Sequence, residues 1–138
     1  MVLEKPVVTV VDRTRLLEMA QSLRSVGDPF RSHRRELIVA IDRSAVVSSA
    51  EVERDVVTMN SRVRARDVDT GKAETFTLVY HGDSGMFDSR LSVLTPMGIA
   101  ALGARVGEVI EFSMRRGVRR LQIEEMLYQP EAAGDLEL

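Results

Sequence analysis

The apolar residues of this chain recur at two periods, and the change from one to the other falls near residue 60. Val7 to Val11 is a short β-prone lead. Asp12 is placed to cap a helix, since a carboxylate can accept from the orphan N–H groups of a first turn. Leu16, Met19, Ala20, Leu23 and Val26 then follow at helical spacing and form one apolar stripe. Gly27-Asp28-Pro29 is a helix stop, and Pro29 can also open a second helix. Phe30, Leu37, Ile41 and Ala45 repeat on one face of that helix, with Ile38 beside them. Two adjacent stripes joined by a tight turn predict an antiparallel αα-hairpin. Each arm of about 15 residues would be only about 22 Å long, too short to be stable without support from the rest of the chain.

Beyond residue 60 the period shortens to two. Val63 to Val68 alternates weakly with charged residues, Asp69-Thr70-Gly71-Lys72 has turn composition, and Glu74 to Tyr80 alternates cleanly. These segments predict an antiparallel hairpin. His81-Gly82-Asp83-Ser84-Gly85 is a loop and Leu91 to Leu94 a short strand. Thr95 caps and Pro96 opens a short helix, Pro96 to Leu102, closed by Gly103. Val109 to Met114 and Val118 to Tyr128 are strands separated by a turn at Arg116-Gly117. The expected fold class is α+β: a helical hairpin over residues 1–50, and over 51–138 a mostly antiparallel sheet domain with one short helix.

Between the two halves lies Asp55-Val56-Val57-Thr58-Met59-Asn60-Ser61-Arg62-Val63. Thr58, Asn60 and Ser61 interrupt its apolar positions. Short polar side chains can bond local backbone groups and hold a turn or bulge at a joint. Asp55, Thr58, Asn60 and Ser61 are the candidate joint residues.

Composition narrows the chemistry. The chain has 138 residues, 44% apolar and 29% charged, with a net charge of -2. That balance argues against non-specific binding to bulk nucleic acid. The absence of Cys excludes disulfides, thiolate metal sites and thiol catalysis, and fits a reducing cytoplasm. No apolar run approaches the roughly 18 residues of a membrane span, and Met1 to Pro6 makes a poor signal peptide. His33 and His81 are the two histidines, and His81 with Asp83 lacks a third metal ligand. Gly98, Gly103 and Gly107 punctuate a helix and a turn and do not form a phosphate loop. No catalytic set, cofactor site, metal site or small-molecule ligand is expected. The hairpin tip is uneven in charge: Arg24, Arg31, Arg34 and Arg35 surround the single acid Asp28. Two readings stay open there, contact with phosphate or an acidic protein channel, and a solvated helix face.

Three stretches carry a family resemblance. Asp55 to Val63 resembles the signature of the regulator of nucleoside diphosphate kinase family, and Tyr128-Gln129-Pro130-Glu131-Ala132-Ala133-Gly134-Asp135 resembles that family's ending. Leu91-Ser92-Val93-Leu94-Thr95-Pro96-Met97-Gly98, followed by Ala101-Leu102-Gly103 and Val106-Gly107-Glu108, is similar to the C-terminal domain of the GreA/GreB transcript cleavage factors. The resemblance implies a short N-terminal coiled coil, a C-terminal domain related to FK506-binding proteins, and bacterial RNA polymerase as partner at its secondary channel. On that footing docking is expected through Ser92 to Gly107, including Thr95, Pro96, Gly98 and Arg105, with Arg31, Arg34, Arg35 and Asp28 at the tip. No membrane contact and no sequence-specific DNA binding are expected. Cleavage factors place two carboxylates at the tip to hold a metal ion; Asp28 alone, on short arms, predicts no cleavage. A weak cleavage factor using Asp28 and an isomerase or chaperone-like module of the FK506-binding type are the alternatives.

Overall fold

A computed structural model describes residues 5–23, 30–82 and 89–135. Asp28, with the rest of the Gly27-Asp28-Pro29 turn, lies outside them, as do Arg24, Val26, Asp83, Ser84 and Gly85. The described residues form a mixed helix-and-sheet fold. The chain runs β1 (Val7–Thr9), α1 (Val10–Ser22), α2 (Arg31–Asp42), β2 (Ala45–Val47), β3 (Arg62–Asp67), β4 (Ala73–Val79), β5 (Arg90–Ser92), α3 (Pro96–Ala101), β6 (Val109–Met114), β7 (Gly117–Tyr128) and α4 (Pro130–Ala133).

The five-stranded sheet has the order β5-β4-β3-β7-β6. Alternation in β3, β6 and the middle of β7 buries Val63, Ala65, Ile110, Phe112, Leu121 and Ile123 on one face, and the register of β3 to β7 shifts beyond Ile123. β3 and β4 pair antiparallel from Arg62↔Thr77 to Arg66↔Ala73, as their patterns predict. Asp67 fixes the turn between them, accepting from the Asp69 and Thr70 amides at 2.9 and 3.1 Å. β5 departs from the antiparallel plan and runs parallel to β4.

Three sequence expectations are corrected. The cap of α1 is Thr9, whose hydroxyl accepts from the Asp12 amide at 3.0 Å; Asp12 sits inside the first turn and is buried. Ala45 is not on the helical stripe. α2 ends at Asp42, and Ala45–Val47 pairs parallel with Val7–Thr9, because the exposed amides of a β-branched segment found a partner strand. Pro130 opens a short helix in the ending, where none was expected.

Leu16 of α1 and Leu37 and Ile41 of α2 are fully buried in the same apolar cluster as Val57, Met59, Phe76, Leu78 and Leu121. The cluster therefore joins residues from both sides of position 50. Phe30 and His81 meet edge-to-face at 4.5 Å and tie the start of α2 to the loop after β4. No helix among the described residues is long and apolar enough to cross a membrane.

Candidate functional site

Residues 55–61 form the hub of the molecule. Val57 exchanges two backbone bonds with the segment after α3, donating to Ala104 and accepting from Gly103, both at 2.8 Å. The Val106 amide donates to Asp55 at 2.9 Å. On the other side the Asn60 amide donates to Leu78 of β4 at 2.6 Å. Thr58 to Ser61 closes as a tight turn: the Ser61 amide donates to the Thr58 carbonyl at 3.0 Å, and the Ser61 hydroxyl accepts from the Thr58 amide at 2.9 Å. Asn60 takes φ 67 there, a left-handed conformation that Asn tolerates and β-branched residues do not. Asn60→Gly is expected to keep full stability, and Asn60→Val to lose about 1–2 kcal/mol in urea denaturation. Equal stability of the two variants would show that the positive φ carries no strain.

A buried polar cluster surrounds this turn. Asp12 accepts from the Met59 amide at 3.0 Å and from the Tyr80 hydroxyl at 3.3 Å. Thr58 donates to Glu131 of α4 at 2.7 Å. Gln129, 3% exposed, donates to the Glu53 and Val56 carbonyls at 2.8 and 2.7 Å. Burial pushes the Asp12 carboxyl up to about 6; the Met59 amide opposes the rise, Glu131 adds to it, and Tyr80 and Arg15 oppose it. Burial, and next the Asp12 charge, also raise the Tyr80 phenol. The sequence marked Asp12 only as a helix cap and Gln129 and Glu131 only as part of a family-like ending; that they and Tyr80 meet around this turn was not foreseen. One signal was available for Asp12: it lies on the buried face of α1 with Leu16 and Ala20, at spacings of four.

The loop from β5 into α3 is rigidly built. Ser92 Oγ accepts from the Leu94 amide at 3.1 Å. Thr95 Oγ1 donates to the Ser92 carbonyl at 2.7 Å and accepts from the Gly98 amide at 3.0 Å, capping α3. Pro96 and Met97 are half-buried, Pro96 beside a groove and Met97 packed against the apolar cluster. Arg105 reaches Glu53 at 3.1 Å and Asp55 at 3.8 Å, which ties it to the hub. Arg31 and Arg35 are exposed at the start of α2 and Arg34 is half-buried. α2 and α3 flank one groove, lined by Glu36 and Ala40 from the first and Pro96 and Ile99 from the second. The structure thus brings the basic helix and the loop onto neighbouring elements, while Ser92 and Thr95 spend their side chains on the loop itself. Among the described residues no group of three or more His, Asp and Glu is arranged to hold a metal ion.

Residues 51–128 match the family model described as transcription elongation factor GreA/GreB, C-terminal. Over 96 residues, the chain is 45% identical to the regulator of nucleoside diphosphate kinase of Escherichia coli K12, covering 69% of this chain and 71% of that one. It is 33% identical over 86 residues to the transcription elongation factor GreA of Thermotoga neapolitana, covering 59% of this chain and 55% of that one. A solved prokaryotic transcription elongation factor GreA/GreB from Nitrosomonas europaea superposes with a TM-score of 0.72 at 32% identity, over 91% of this chain and 99% of that chain. The hub and the capped loop both lie in the matched span, so the chain belongs to the GreA/GreB superfamily, with the regulators of nucleoside diphosphate kinase as relatives.

Proposed function

We propose that the protein is a non-enzymatic regulator that binds bacterial RNA polymerase at the secondary channel and competes there with Gre factors without stimulating transcript cleavage. In this reading the sheet domain, of the FK506-binding type, docks at the channel rim through the β5–α3 loop. α1 and α2 act as a short helical hairpin pointing inward. The observation that carries it is the pre-formed loop: Thr95 and Ser92 lock its backbone, so its half-exposed residues, Pro96 among them, can bind with little ordering cost. The helices support the absence of cleavage. They have 13 and 12 residues, about 20 Å each, and the tip sequence offers Asp28 as its one acid.

Pull-down with core polymerase at low salt is the direct test, and failure to bind would sink the proposal. Backtracked complexes incubated with the protein should show no faster RNA shortening; shortening that vanishes in Asp28→Ala would establish the cleavage alternative. A proline-isomerisation assay is expected to be silent, and turnover would move the protein to the isomerase class. Arg34→Glu combined with Arg35→Glu should weaken polymerase binding about tenfold if the basic helix faces an acidic channel mouth. Unchanged affinity would make those arginines an ordinary solvated face.

A further inference from the structure

The sheet has two edges, and they are built differently. β5 is three residues long, short enough to offer little to another chain. β6 has six residues, Val109-Ile110-Glu111-Phe112-Ser113-Met114, with no Pro, no Lys and a regular register to β7. Among the described residues it pairs with β7 alone. The β6–β7 turn has two residues between the paired Met114 and Gly117, so Met114, Phe112 and Ile110 bond β7. The N–H and C=O groups of Val109, Glu111 and Ser113 consequently face away from β7, along the open edge. Val109 and Met114 are also 49% and 47% exposed.

A groove of about 450 Å³ lies beside this edge, floored by Ile99, Ala100, Leu102 and Phe112. A smaller one of about 150 Å³ continues it past Leu102 and Ile110. Their charged lining is entirely acidic: Glu36 and Glu111 in the first, Glu108 in the second. Arg120 reaches Glu111 at 3.4 Å from β7, but both side chains are about half exposed and Arg120 also approaches Asp69 at 3.7 Å. Another cation can therefore approach Glu111.

We propose that the β6 edge and its groove receive an extended segment of another protein as an added antiparallel strand. The segment carries apolar residues on the face turned to the groove and a basic residue opposite Glu111. Main-chain bonds to Val109, Glu111 and Ser113 hold it, and the acidic lining selects its charge. A second copy of this chain fits poorly: antiparallel pairing of two β6 strands about their centre sets Glu111 beside Glu111. A uniformly basic segment fits poorly as well, because Arg115 and Arg116 stand at the end of the strand. This inference does not rest on the polymerase reading.

The test is titration of the full chain with acetyl-Thr-Val-Thr-Val-Lys-Val-Thr-Val-Thr-amide and with the same peptide carrying Glu in place of Lys. Amide shifts and fluorescence anisotropy are followed. The Lys peptide should bind at least tenfold more tightly, with the largest shifts at Val109, Glu111 and Ser113. Glu111→Lys should reverse the preference. Ser113→Pro removes an outward N–H that β7 does not use, and should weaken both peptides about tenfold with little change in thermal midpoint. If Ser113→Pro unfolds the protein, the reversal in Glu111→Lys decides alone. No saturable binding up to millimolar peptide, shifts mapping elsewhere, equal binding of the two peptides, or a dimer formed through β6 in sedimentation would each overturn the proposal.

Discussion

Gly98→Ala is expected to lower the stability of the protein by about 3 kcal/mol, a drop of roughly 10 °C in thermal midpoint. A methyl group at Gly98 would fall within van der Waals contact of the Ser92 carbonyl oxygen and 2.9 Å from Val93 Cα. Both are backbone atoms of the segment leaving β5, so no side-chain rotamer can relieve the clash. Val93 is fully buried, and α3 cannot retreat without opening the core over Phe112 and Ile110. Thr95→Ala removes the cap and leaves the close approach intact, and should cost about 1 kcal/mol. Urea denaturation of the two variants separates the effects. An unchanged midpoint in Gly98→Ala would show that α3 does not sit this close to the strand. The comparison bears on function too. Polymerase binding lost in Gly98→Ala together with stability reports a collapsed loop, whereas loss in a stable Pro96→Ala would report a contact.

The second large effect is expected at Asp12. Its carboxyl is pushed up to about 6 from an ordinary value near 3.8, chiefly by burial. Between about pH 4 and 6 the folded protein holds a proton there that the unfolded chain has released. Stability must therefore fall as pH rises through this window, by an amount on the order of 2–3 kcal/mol from this group. Asp12→Asn keeps an acceptor for the Met59 amide and cannot ionise. It should flatten the slope and be more stable than the wild type at pH 7.5, by about 1–2 kcal/mol. Asp12→Ala leaves the buried Met59 amide without its partner, and should be less stable at pH 4 by about 1–3 kcal/mol. Asp67 and Glu124 act in the opposite direction. The Thr70 and Asp69 amides hold Asp67 below the usual carboxylate range and Arg66 does so for Glu124, so their stabilisation is lost only as pH falls through the acid range. The difference between wild type and Asp12→Asn isolates the Asp12 contribution. A wild-type curve parallel to that of Asp12→Asn from pH 4 to 7.5 would show that Asp12 titrates normally.

Much of the sheet was legible because its information is local. Alternation marked β3 and β4, the Arg116-Gly117 turn separated β6 from β7, and Thr95-Pro96 with Gly103 set α3. The stripe on α2 was legible through Leu37 and Ile41. What failed depended on partners distant in sequence. Ala45 sits at a helical spacing from Ile41, yet it joins β1, some 38 positions earlier. Asp12 looked like a cap because acids cap helices, but Thr9 already filled that place and left Asp12 to reach Met59. In the candidate site, Asp55 to Val63 stood out as polar residues amid apolar ones, and the Thr58–Ser61 bonds are those that such side chains make. Gln129 and Glu131 stood in a recognisable ending, but nothing local tied them or Tyr80 to the hub, since a buried hydrogen bond across about 70 residues imposes no spacing.

Those outer partners have a consequence for how the protein is made. The hub cannot be completed when residues 55–61 leave the ribosome, because Gln129 and Glu131 are translated more than 70 residues after their partners. Until they arrive, the Val56 carbonyl lacks its amide and Thr58 lacks its carboxylate. A nascent chain stopped short of residue 129 is therefore expected to be protease-sensitive at its middle, even with β3 and β4 already synthesised. The arrival of Gln129 and Glu131 is thus the step that completes the hub.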